Sequence, residues 1–136
     1  IEPYSIKVLS PLQEEYIRMN NYSAVIKLSY KDTQMLLSAD AEATAEEEMV
    51  SAGFDLTADI LKAGHHGSAT STTHRYLSAI MPKDVVISVG RDNSYGFPAS
   101  TVLSQIEAIG ARVHRTDLEG NITAVSDGYI YVMEGE

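Results

Sequence analysis

The chain has 136 residues, no cysteine and a formal net charge of −9, from 19 acidic against 10 basic side chains. That length suits one domain with a real core. The lack of cysteine excludes disulfides and thiolate metal sites, so any transition metal would need His, Asp and Glu. No apolar run reaches the roughly 18 residues of a membrane span. The acidity repels a phosphate backbone and argues against a module that coats duplex DNA, although a bound metal pair would dominate the local field of a nuclease. The first residue is Ile1 rather than Met and no signal peptide is visible, so the expectation is one domain, residues 1–136, cut from a longer protein.

Tyr4-Ser5-Ile6-Lys7-Val8-Leu9 alternates and predicts a strand, ended by Ser10-Pro11. Residues 12–21 form a polar connection with weak helical character. Tyr22, Ala24, Ile26, Leu28 and Tyr30 share one face of the next predicted strand, opposite Ser23, Lys27 and Ser29. Lys31-Asp32-Thr33 turns the chain into a hairpin partner at 34–38. A helix follows, with Thr44 and Glu47 at capping-box spacing and Gly53 placed to stop it. A short strand at 59–63 runs into Gly64-His65-His66-Gly67-Ser68. A second helix is expected from Thr72 to Met81, closed by Pro82. Residues 85–89 are nearly all apolar, as in a strand covered on both faces. A loop at 90–98 leads to a third helix with Val102, Leu103, Ile106 and Ile109 on one stripe and Gly110 after its last turn. Three short strands near 111–115, 121–126 and 129–133 close the chain, with Asp127-Gly128 marking a hairpin. Strands alternating with helices predict an α/β domain, a sheet layered by helices.

Three segments could carry chemistry. Asp40 ends an apolar strand, where the sheet fixes its backbone, and a carboxylate there can bridge cations. It could equally serve the N-terminus of the following helix. In Gly64-His65-His66-Gly67-Ser68 the two histidines point in different directions. One can act as ligand or general acid while the other orients it or contacts substrate. The flanking glycines Gly64 and Gly67 allow close backbone approach to a ligand, and Ser68, Thr70, Ser71 and Thr72 place hydroxyl and amide donors at a helix start, suited to phosphate. A solvated polar loop with an ordinary cap is the alternative. The third segment is the loop Gly90-Arg91-Asp92-Asn93-Ser94-Tyr95-Gly96-Phe97-Pro98, between a buried strand and a helix. Arg91 could clamp an anion, with Asn93 and Tyr95 beside it; the alternative is a turn that packs Tyr95 and Phe97. His74 reads as a surface residue. His114, between two arginines, reads as structural or exposed.

These segments, taken with Asn21-Tyr22-Ser23-Ala24-Val25-Ile26, Met35-Leu36-Leu37-Ser38-Ala39-Asp40-Ala41-Glu42 and Ile87-Ser88-Val89-Gly90, resemble in kind and order the C-terminal half of the metallo-β-lactamase-like domain of ComEC-type DNA-internalisation competence proteins. The resemblance covers about residues 4–133. It implies half of a four-layer αββα sandwich, with a mixed sheet and helices on one face. It implies zinc or manganese in the intact domain, with Asp40 as metal-bridging ligand and His65 and His66 as catalytic groups at the rim. Gly67, Ser68, Arg91, Asn93 and Tyr95 would contact substrate. The implied substrate is the DNA backbone, and the implied place is the extracellular face of the bacterial plasma membrane. Any membrane attachment would come through segments outside this chain.

The match also has departures. The superfamily's His-x-His-x-Asp-His motif is absent, since no histidine precedes His65. Phe97 stands where the family's Asn-x-Tyr-Gly-His-Pro segment has its histidine, and Ser10 stands where related enzymes place another. A catalytic zinc takes three protein ligands. This polypeptide alone is therefore expected to be inactive and to bind zinc weakly or not at all, with the N-terminal half of the same domain supplying the remaining ligands. Two other readings stay open: a degenerate domain that binds or scaffolds, and an esterase or phosphodiesterase unrelated to DNA. A half-sandwich leaves one sheet face bare, which predicts a homodimer or marginal stability.

Overall fold

A computed structural model describes residues 4–135. Strand β1 (Tyr4–Ser10) pairs antiparallel with β2 (Val25–Tyr30), and β2 pairs antiparallel with β3 (Thr33–Leu37). Beyond β3 the pairing turns parallel, through β4 (Ile60–Lys62), β5 (Asp84–Ile87) and β6 (Arg112–Arg115). The result is one six-stranded mixed sheet in the order β1-β2-β3-β4-β5-β6. Helices α1 (Ala43–Ser51), α2 (His74–Ile80) and α3 (Ser100–Ala108) form the crossovers. A one-turn helix α4 (Thr116–Glu119) and a two-stranded sheet of β7 (Ile122–Ser126) and β8 (Tyr131–Gly135) complete the chain.

The register sorts the side chains onto two faces. Leu36, Leu61, Val85 and Ile87 point to one side, where they join Met49, Tyr76, Leu77, Ile80, Val102 and Ile106 in the core. Each such buried apolar side chain stabilises the fold by about 1.5–3 kcal/mol. On the opposite side, Ile6, Leu28, Met35 and Ile60 lie in one row across the strands, with Val8, Ile26, Leu37, Lys62 and Val86 in the next. None of these joins the core cluster. Ile6 and Val8 are exposed, and Ile26, Leu28, Met35, Leu37 and Val86 are only half-buried. The β7–β8 hairpin lies over part of this face, leaving an apolar hollow of about 270 Å³ bounded by Ile6, Leu28, Met35, Ile60 and Ala124. The fold is thus the mixed sheet with helices on one face that the resemblance implies.

Several local expectations are corrected. Tyr22 is not in a strand: Met19–Tyr22 forms a single 3-10 turn, β2 starts at Val25, and the Tyr22 hydroxyl instead accepts from the Tyr16 amide. Thr44 does not cap α1. The helix starts at Ala43, and the buried Asn21 side chain accepts from the amides of Glu42 and Ala45. Glu47 instead pairs with Arg75 and accepts from the Ser51 hydroxyl. The strand at 85–89 is not covered on both faces, because Val86 lies on the helix-free side. The closing hairpin has a four-residue loop, since Ser126 pairs with Tyr131; Asp127 Oδ1 accepts from the amides of Tyr129 and Ile130. Helix α4 was not expected at all. His114 is structural, in a network of Asp84, Arg112, Tyr131 and Glu119.

Candidate functional site

Three parallel strands end at one edge of the sheet. The chain leaves β3 at Ser38-Ala39-Asp40, β4 at Ala63-Gly64-His65-His66 and β5 at Ser88-Val89-Gly90. Carboxyl ends of parallel strands are where α/β sheets place ligand sites. Asp40, His65, His66, Val89, Gly90, Asn93, Tyr95 and Phe97 line a cavity of about 550 Å³ there. Five of the residues picked out in the sequence are thus brought together. Gly67, Ser68 and Arg91 lie outside this lining.

The backbone around the cavity is unusual. Ala39, His65, His66 and Thr72 all adopt positive φ, at 48°, 45°, 55° and 56°. Non-glycine residues there cost of order 1–3 kcal/mol each, and such strain gathers at functional sites. Hydrogen bonds hold these conformations. The His65 amide donates to the Ala39 carbonyl at 3.0 Å, and the Lys62 amine lies 3.1 Å from the Ala39 carbonyl and 3.0 Å from that of Ala63. Burial pulls the Lys62 amine below its ordinary range, and the carboxylate of Asp40 opposes that shift. The Gly64 amide donates to Thr72 Oγ1 at 3.2 Å. Beneath them the buried carboxylate of Glu46 accepts from the amides of Thr72 and Thr73. Burial pushes the Glu46 carboxyl above its usual range, against the pull of those bonds.

Each histidine is held through Nδ1. His66 Nδ1 lies 2.7 Å from the Ser88 carbonyl oxygen. A carbonyl only accepts, so Nδ1 carries the proton and Nε2 of the neutral ring keeps its lone pair. That Nε2 lies 3.5 Å from Asp40 Oδ1. His65 Nδ1 lies 3.4 Å from both Asn20 Nδ2 and Glu42 Oε1. Glu42 is itself buried and receives Arg18 through two nitrogens, Asn20 Nδ2 and the Thr70 hydroxyl. Burial works against its ionisation, but those donors outweigh it and leave the carboxyl below its ordinary range. Glu42, Arg18, Asn20 and Lys62 were missed as site residues. Glu42 lies just before α1, and its spacing two residues after Asp40 is the one local signal that points to it.

The remaining residues shape the wall. Asn93 Nδ2 donates to the carbonyls of Gly90 and Phe97, and Asn93 Oδ1 accepts from the Phe97 amide, so its side chain staples the loop. Phe97 packs edge-on against His65, with centroids 5.6 Å apart, and Tyr95 stacks on Phe97. Gly67 has φ +80°, and a Cβ there would sit 2.7 Å from Pro98 Cβ. Its absence lets the histidine loop and the 90–98 loop touch. Ser68 is buried, with Oγ 3.0 Å from Thr70 Oγ1. Arg91 is exposed, and its Nε donates to the Asp117 carbonyl at 3.2 Å.

Two ligands of a tetrahedral ion with bonds of about 2.1 Å lie about 3.4 Å apart. The Asp40–His66 separation therefore fits one edge of such a site. Among the described residues, however, no group of three or more His, Asp or Glu side chains could hold a metal ion. These residues do not by themselves complete a metal site.

The comparisons agree with the geometry. Residues 5–91 match the Metallo-beta-lactamase superfamily. The chain belongs to that superfamily. It is 34% identical over 122 residues to ComE operon protein 3 of Bacillus subtilis, covering 90% of this chain and 16% of that protein. It is 34% identical over 113 residues to competence protein ComA of Neisseria gonorrhoeae, covering 82% of this chain and 16% of that one. It is 34% identical over 116 residues to recombination protein 2 of Haemophilus influenzae, covering 85% and 14%. The similarity is thus to competence proteins of the ComEC type, and this superfamily chain spans about one sixth of their length. Among the described residues no helix is long and apolar enough to cross a membrane.

Proposed function

We propose that this chain is the C-terminal part of the metallo-β-lactamase-like domain of a ComEC-type DNA-uptake protein, and that the intact domain is a metal-dependent phosphodiesterase acting on DNA at the extracellular face of the plasma membrane. The observation that carries this reading is the pair Asp40 Oδ1 and His66 Nε2, 3.5 Å apart, open to a cavity at the ends of three parallel strands. Zinc or manganese held partly by that pair would polarise the phosphodiester and supply an activated water. The chain's own part is positional. Ser88 fixes the tautomer of His66, Glu42 and Asn20 orient His65, and the strained backbone holds both rings at the rim. The partner that fits is the N-terminal half of the same domain, which would add ligands and cover the bare face holding Ile26, Leu28, Met35 and Leu37. A second copy of this chain is the other cover for that face, and light scattering distinguishes the two.

The test is hydrolysis of single-stranded DNA by the complete domain with zinc or manganese supplied. Asp40→Ala is expected to lower kcat/KM by about 100-fold or more, in line with losses seen when metal-site support is removed. Unchanged hydrolysis by Asp40→Ala would overturn the assignment. A second reading, a non-catalytic binding domain, is favoured by the incomplete ligand set among the described residues and by Phe97, whose ring packs on His65. DNA binding without metal-dependent hydrolysis would decide for it.

A further inference from the structure

The most exposed side of the cavity is aromatic. Tyr95 is 78% exposed although it sits on a loop with little freedom. Asn93 staples that loop by three hydrogen bonds, and Pro98 is set against Gly67. The Tyr95 ring lies nearly parallel to Phe97, at 17° with centroids 5.5 Å apart. Phe97 therefore meets Tyr95 only in an offset contact, and most of the Tyr95 side chain stays open to solvent. Phe97 in turn abuts His65, so the rings form a shelf that runs from solvent to the histidine rim. A large aromatic ring held in place and left mostly bare is costly to solvate, and it offers a planar partner contact area at little entropic cost.

We propose that this shelf is a subsite for one unstacked base of single-stranded DNA, which stacks on the exposed ring of Tyr95 and brings its neighbouring phosphodiester to Asp40 and His66. The inference rests on the DNA reading above and specifies how the strand is held. Charge supports it. A chain with formal net charge −9 gains little from the phosphates away from a bound metal, so a contact that ignores charge helps to hold the strand there. Base faces offer that contact, and they are available only in single strands. Arg91 is the one cation of the 90–98 loop, and its Nε is already turned to Asp117.

The test is fluorescence anisotropy with a labelled oligothymidylate and an abasic oligodeoxynucleotide of the same length, in EDTA so that the probes are not consumed. Tyr95→Ala is expected to weaken oligothymidylate binding about 5- to 150-fold, the range for one lost base–aromatic stack. Tyr95→Phe, which keeps the ring, is expected to bind within about 3-fold of wild type. The abasic probe should bind wild type about as weakly as oligothymidylate binds Tyr95→Ala. Circular dichroism melts of the variants confirm that the fold persists. If both probes bind alike and Tyr95→Ala changes nothing, the base subsite is wrong while DNA contact stands. If neither probe binds, the subsite and the DNA reading both fall.

Discussion

The molecule contains two histidine–aspartate pairs, and they are opposites. At the cavity, Asp40 and His66 have side chains 45% and 47% exposed and approach only to 3.5 Å. On the helix-free side of the sheet, beneath the β7–β8 hairpin, Asp84 is fully buried and His114 is 19% exposed, with Nε2 2.7 Å from Asp84 Oδ1. Asp84 also takes Arg112 through two nitrogens and the Tyr131 hydroxyl, while His114 Nδ1 faces Glu119. Every polar atom of the second pair has a partner from the protein, and the cluster ties the β7–β8 hairpin to the sheet. The first pair leaves lone pairs aimed into open space and sits on backbone that costs energy to hold. The same two residue types thus do different work, and the difference lies in what remains unpartnered.

That contrast breaks most readily at Asp84. Asp84→Ala removes the acceptor of three side chains and is expected to cost about 3 kcal/mol, read from urea unfolding, because Tyr131 and His114 lose their acceptor while the exposed Arg112 regains water. Acid should act at the same place. Burial opposes ionisation of Asp84, but Arg112, Tyr131 and His114 outweigh it, so its folded pKa lies below the unfolded one. The resulting stability is present above about pH 4 and is lost as pH falls through the folded value. Asp84→Asn should flatten that acid limb, and a limb of unchanged slope would count against the cluster. Glu46 has the opposite sign. Its raised carboxyl is tolerated better when protonated, so its share of stability is lost as pH rises through the folded value.

Gly67→Ala is expected to come next, at about 2–3 kcal/mol, because an added Cβ meets both a disfavoured φ and Pro98. A cost under about 0.5 kcal/mol would mean that the two loops can separate freely. The smallest effect is expected from His66→Gly. Relief of the left-handed strain offsets the lost bond to Ser88, so stability should stay within about 1 kcal/mol of wild type. A much larger loss would show that His66 is structural, like His114.

Much of this was legible along the chain. Leu36, Leu61, Val85 and Val102 announce their buried strands and helix by local pattern, and Asp40, His65 and His66 stood out as polar residues at strand ends. What escaped depends on contacts between distant segments. Asn21 caps α1 from more than twenty residues away, and no local spacing records that. Glu42 has no local mark of its role beyond its spacing from Asp40; that role comes from Arg18, Asn20, Thr70 and His65 gathered around it by the fold. Val86 reads like its buried neighbours, because an apolar strand does not say whether its second face is covered. His114 reads from the sequence as either structural or exposed, and nothing local names Asp84, thirty residues away, as the partner that makes it structural.

The most direct test sets the two histidines side by side in the complete domain, with metal-dependent hydrolysis of single-stranded DNA and thermal melting measured on the same samples. His66→Gly is expected to abolish hydrolysis and leave the melting temperature nearly unchanged. His114→Ala is expected to lower the melting temperature and leave activity per folded molecule intact. Full hydrolysis by His66→Gly, or its loss in a folded His114→Ala, would contradict the assignment of the open pair to function and the closed pair to structure.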